Sequence, residues 1–154
     1  MDSLQVKEFS LEQMMPLIQE HLAAGQTVRF APRGISMLPM LRQGVDSVVL
    51  SPAPKKLEKF DLPLYQRPNG KYILHRVVSV EETYTCIGDN QFEYETEVAH
   101  DWVIAVVSAF YRGNQLWSVQ DWRYRMYCFF WHYSRPIRHF WRRGVRWLRR
   151  QLKC

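Results

Sequence analysis

A serine becomes a nucleophile when a turn exposes its hydroxyl and a base lies within hydrogen-bond reach. The segment Gly34-Ile35-Ser36-Met37-Leu38-Pro39 offers such a turn. Gly34 frees the backbone, and Pro39 pushes Leu38 toward an extended conformation. The same turn leaves backbone N–H groups able to hold an oxyanion. A candidate base is His75, in the run Leu74-His75-Arg76-Val77-Val78. Read as a β-strand, this run puts Ile73, His75 and Val77 on one face and Leu74, Arg76 and Val78 on the other. A third segment, Gly88-Asp89-Asn90 followed by Glu93, Glu95 and Glu97, supplies carboxylates that could fix an imidazole tautomer. Taken singly, each segment has an ordinary explanation: a connecting turn, a satisfied core histidine, a tight turn.

The elements that must position these residues are mostly strands. Residues 26–112 alternate β-rich runs at 27–31, 47–50, 62–66, 72–80, 83–87 and 102–111 with turns rich in glycine, proline and asparagine. No helical pattern of 10–15 residues separates the runs, which argues against a βαβ fold and predicts an irregular, mainly antiparallel β domain. In front of it, residues 10–24 form an amphipathic helix with Leu11, Met14, Met15, Ile18 and Leu22 on one side. Ser10 and Gln13 form a capping box, while Pro16 should delay the regular helix. The chain thus divides into an N-terminal helical segment (1–25), a β domain (26–120) and a helical basic tail (121–154).

Together and in this order, the Gly34–Pro39 string, the strand with His75 and the following Gly88-Asp89-Asn90 resemble the LexA and type I signal peptidase superfamily. The resemblance covers roughly residues 28–107 and implies a β-rich serine endopeptidase with Ser36 as nucleophile. It aligns His75 with the base, as in signal peptidases of the archaeal and endoplasmic-reticulum type, where other members use lysine. Asp89 takes the place of the motif aspartate, with Glu95 as the alternative acid; Gly34, Met37 and Pro39 complete the serine motif. The expected reaction is cleavage of a leader or signal peptide through an acyl-enzyme. Histidine suits that role, because its unperturbed pKa of ~6.5 leaves it mostly neutral at neutral pH, whereas lysine at ~10.4 would need strong desolvation. Activity should then decline as pH falls from about 8 to about 5. Lys71, four residues before His75, reads as an exposed lysine at the strand end. Two departures stand out: Gly44-Val45-Asp46 interrupts the usual Gly-Asp pair, and neither a membrane anchor nor a DNA-binding domain is evident. An inactive module of this type, binding a peptide or a membrane-associated partner, is the alternative from outside catalysis.

Composition bounds the rest. A chain of 154 residues with 47% hydrophobic and 23% charged residues supports one globular domain. Residues 1–120 hold 11 basic and 14 acidic side chains; residues 121–154 hold 10 basic and one acidic, with 10 of the 22 aromatics. Residues 137–152 place Ile137, Phe140, Trp141, Val145, Leu148 and Leu152 on one helical face and arginines on the other. Three uses compete. The apolar face could lie in an anionic membrane surface through 135–153, or pack on the β body with the arginines solvated. Nucleic-acid binding ranks last, since the aromatics segregate from the arginines. The longest apolar runs, 103–107 and 126–131, fall far short of the ~20 residues of a membrane span. Cys86, Cys128 and Cys154 form no C-x-x-C pair, and His21, His100, His132 and His139 lack ligand companions, so neither metal nor cofactor is expected. With no secretory signal at the N-terminus, the expected location is cytoplasmic, peripheral to the inner face of the membrane if the tail binds lipid.

Overall fold

In the computed structural model, residues 10–151 are described; Cys154 and the ends of both terminal segments lie outside them. Helix α1 (Leu11–Ala23) begins at its capping box: Gln13 N–H donates to Ser10 Oγ, and Ser10 N–H donates to the Gln13 side chain. The helix runs through Pro16 rather than starting after it. Burial of Met15, Ile18 and Leu22 against the sheet holds the element together despite the hydrogen bond that proline forfeits.

The body is antiparallel throughout. Strands β1 (Val28–Phe30), β2 (Ser47–Pro52), β3 (Pro63–Gln66), β4 (Tyr72–Leu74) and β8 (Val103–Arg112) form one sheet in the order β1-β2-β8-β3-β4, and β9 (Gln115–Ser118) pairs with the far end of β8. Strands β5 (Arg76–Val80), β6 (Tyr84–Ile87) and β7 (Glu95–Val98) form a second sheet. Two short strands were not expected from the sequence: β9, reached by a turn at Gly113-Asn114, and β7, which carries Glu95. Helices α2 (Trp122–Tyr133) and α3 (Arg135–Gln151) follow, with Ser134 closing α2.

The strand expected over 72–80 is in fact two. Tyr72–Leu74 pairs with β3 in the larger sheet, and Arg76–Val80 pairs with β6 in the smaller. His75 is the residue at which the chain leaves one ladder for the other. Alternation nevertheless survives the break. Leu64 and Leu74 face the core that α1, Phe110 and the α2 residues Tyr124 and Cys128 complete. Their neighbours Tyr65 and Ile73 face a second core with Val77, Tyr84, Cys86 and Val98.

Asp46 secures the turn before β2. It accepts from the backbone N–H and guanidinium of Arg42 and from Gly113 N–H in the β8–β9 turn. The Arg42 hydrogen bonds hold its carboxyl down at about 2. The interrupted Gly44-Val45-Asp46 segment therefore serves a turn that joins two loops.

Candidate active site

Ser36 lies in the loop between β1 and β2 and is half-buried. The loop is held from both ends. Gly34 adopts φ +98°, which favours glycine, and donates its N–H to Gln43. Met37 is buried in the first core, and a cis peptide joins Leu38 to the exposed Pro39. The Gly88-Asp89-Asn90 turn docks directly on this loop: Asn90 N–H donates to the Ser36 carbonyl at 2.8 Å, and Asn90 Nδ2 donates to the Ile35 carbonyl at 3.1 Å. A Cβ at position 88 would sit 2.6 Å from the Ser36 carbonyl oxygen, so only glycine permits this approach. Two of the three sequence segments are thus in contact.

The third reaches the same place. Gly34, Ser36 and Met37 on one side, with Tyr72, Leu74 and His75 on the other, wall a cleft of about 170 Å³. No hydrogen bond joins Ser36 to His75 among the described residues. Neither does the Ser36 or Met37 backbone N–H have an acceptor among the described residues. His75 is buried. Its Nδ1 is enclosed, lacks a hydrogen-bond partner and lies 3.8 Å from Glu95 Oε2, which makes Nε2 the candidate base nitrogen of a ring that lines the cleft. Burial pulls the His75 pKa down to about 4; Glu95 pushes it upward, and Arg67 opposes that push. The ring is therefore neutral throughout the range in which a free imidazole would titrate.

The two candidate acids have separate roles. Glu95 faces His75 and is itself gripped: Arg67 donates to both carboxylate oxygens at 2.6 and 2.7 Å, and the Tyr65 hydroxyl donates at 2.5 Å. Burial pushes its pKa up, but these hydrogen bonds outweigh it and hold the carboxyl below its ordinary value. Asp89 is fully buried and spent on another partner. Arg76 donates to both of its oxygens at 2.7 and 2.8 Å, the Tyr127 hydroxyl donates at 2.9 Å, and Trp131 Nε1 donates to its backbone carbonyl. Arg76 also reaches the Tyr124 hydroxyl and the Phe60 carbonyl. Asp89 therefore locks α2 to the turn that braces the Ser36 loop, and Glu95 is the acid next to the imidazole.

Arg67, Tyr65 and the Arg76 network escaped the sequence reading. Arg76 did carry a signal, since an arginine between two aliphatics on a strand face needs a buried carboxylate partner. Arg67 and Tyr65 carried none, because β7 was not anticipated opposite them. Lys71 is exposed, as expected.

Helix α3 packs by its arginine side, not by the apolar side that one of the three readings set on the β body. Its arginine face turns toward the body: Arg135 is buried, Arg138 stacks on the Trp131 ring at 3.5 Å and donates to the Trp131 carbonyl, and Arg142 donates to Asn90 Oδ1 at 2.6 Å. Ile137, Phe140 and Trp141 point outward at 73%, 74% and 75% exposure. Packing of the apolar face on the β body is thus overturned. Trp131, Phe92 and the Asn90 amide give the guanidinium groups better partners than aliphatic surface would. Among the described residues, no helix is long and apolar enough to cross a membrane. No family model, curated protein or solved structure matches this chain.

Proposed function

We propose that this chain is a signal-peptidase-like serine endopeptidase of the LexA and type I signal peptidase superfamily, cleaving a leader or signal peptide. The observation that carries this reading is that Ser36 and His75, from different loops, wall one cleft whose serine loop is braced by the Gly88-Asp89-Asn90 turn. Ser36 Oγ attacks the scissile carbonyl carbon while His75 Nε2 takes the hydroxyl proton. The oxyanion gathers the free N–H groups of Ser36 and Met37. As the tetrahedral intermediate collapses, the amine leaves with the proton from His75, and water then hydrolyses the acyl-enzyme by the same route. Glu95 holds the ring from the Nδ1 side. An acyl-transfer probe should add its mass to Ser36 alone, and Ser36→Ala should lose both labelling and leader-peptide cleavage. Cleavage by Ser36→Ala at the wild-type rate would sink the assignment. The unbonded Ser36–His75 pair favours one second reading, a peptide-binding module without turnover; binding of peptide with no labelling would select it.

The outward apolar face of α3 supports a peripheral membrane position. Phe129 and Phe130 of α2 are exposed apolar side chains as well. The chain is expected to co-float with phosphatidylglycerol vesicles, and a Phe140→Glu/Trp141→Glu variant to stay behind. Equal flotation of the two would remove α3 as the anchor.

A further inference from the structure

A second cleft, about 660 Å³, is also lined by His75. One wall is the stretch from Asn90 to Glu95; the other is the inward face of α3, with Arg142, Arg143 and Arg146. Arg67 lines it too and is occupied by Glu95. Charge in this cleft is unbalanced. Of its two carboxylates, Glu95 already accepts from Arg67 and Tyr65, and Glu93 is exposed without an ion pair among the described residues. Arg142 is held by Asn90 and lies over the Phe92 ring, but Arg143 and Arg146 have no ion pair among the described residues.

Two guanidinium groups without an ion pair, lining a cleft that the candidate base His75 also lines, are a recognition device for anions, since arginine binds carboxylates through two parallel N–H donors. We infer that the peptide entering this cleft carries acidic side chains, received by Arg143 and Arg146 as specificity residues; this rests on the peptidase reading above. A peptide fits better than a lipid headgroup. The cleft lies on the arginine side of α3, opposite the apolar face that would meet a bilayer, and Tyr94 and Phe92 offer ring surface for neighbouring residues.

Binding is the readout, so the result does not depend on turnover. Two fluorescein-labelled pools of short peptides, identical except for glutamate in one and glutamine in the other, are titrated against full-length Ser36→Ala by fluorescence anisotropy. The glutamate pool is expected to bind about fivefold to tenfold more tightly at low salt, from two exposed charge pairs, with the gap closing as salt rises. Arg143→Gln/Arg146→Gln should abolish the gap. Arg149→Gln/Arg150→Gln removes the same charge from the same helix outside the cleft and should preserve it. All four arginines are exposed, so neither double variant threatens the fold. Equal binding of the two pools overturns the proposal, as does an equal loss of preference in both double variants, which would mean bulk charge alone. If the pools bind equally while capture by phosphatidylglycerol vesicles depends on Arg143 and Arg146, the cleft reads headgroups and the proposal also falls. Cleavage by wild type without glutamate preference would overturn this inference alone. Preferential binding with no cleavage of any peptide would overturn the peptidase reading alone.

Discussion

His75→Ala is expected to lower kcat/KM for peptide cleavage by roughly 10²- to 10⁴-fold, the usual contribution of a positioned general base. The more telling result is the pH profile of the wild type. A free imidazole would make the rate fall below about pH 6.5. Burial instead holds His75 at about 4, so kcat/KM should stay level from about pH 8 to about pH 5 and fall only as pH approaches 4. The decline anticipated from the residue type is thereby moved from about pH 6.5 to about pH 4. In the proposed reaction a base this weak would accept a proton reluctantly, and Glu95 would answer that weakness. Closing the 3.8 Å gap between its Oε2 and His75 Nδ1 into a hydrogen bond would stabilise the imidazolium as it forms. Glu95→Gln should consequently lower kcat more than it raises KM. A wild-type profile breaking near pH 6.5 would show that the ring is solvated during turnover and that the enclosed geometry is not the working one.

The same burial is visible in stability. The unfolded chain takes up a proton on His75 at about pH 6.5, while the folded chain resists until about 4. Above the first value the group contributes no pH dependence. Between the two, the unfolded state binds more protons, so stability drops as pH falls, by about 3 kcal/mol in total. Urea unfolding of His75→Ala should lack that slope between pH 6.5 and 4, whatever the protein does catalytically.

Arg76→Ala should destabilise the fold by about 3–5 kcal/mol, because it leaves Asp89 buried without its counter-charge. Tyr127 and Trp131 would still donate to Asp89, but neither supplies a positive charge. Loss of the guanidinium also removes the donor to the Tyr124 hydroxyl and the Phe60 carbonyl, weakening the seam between α2 and the smaller sheet. Arg76→Met combined with Asp89→Leu should recover much of the stability in urea unfolding, since a buried pair replaced by apolar groups is often neutral. The double variant should still lose peptide cleavage, because Asp89 sits in the turn whose neighbour Asn90 holds the Ser36 loop. A cost below about 1 kcal/mol for Arg76→Ala would mean that water reaches Asp89 and that α2 is not locked through it.

Much of this arrangement was legible in the residues. The α1 capping box, the turn glycines, the antiparallel β character and the amphipathic tail all follow from hydrogen bonds and steric preferences within a few residues of one another. The order of the serine, histidine and acidic segments could also be read directly. Less visible was β7, whose Glu95-Thr96-Glu97-Val98 sequence carries one buried apolar residue and gives little periodic signal. The division of 72–80 into two strands was hidden as well, because a change of hydrogen-bond partner leaves the alternation of side chains intact.

By itself, then, the sequence determined which local structures form and which side chains are chemically able to act. Tertiary structure alone decided three matters: that Glu95 rather than Asp89 stands beside His75, that the imidazole is held neutral by burial, and that α3 turns its arginines inward. Each depends on groups from distant parts of the chain: Arg76 claiming Asp89, Arg67 and Tyr65 fixing Glu95, and Asn90 and Phe92 meeting Arg142. Helical periodicity specifies that two faces differ, but it is silent on which one packs. That choice belongs to the surface on the other side, which exists only once the sheets have assembled.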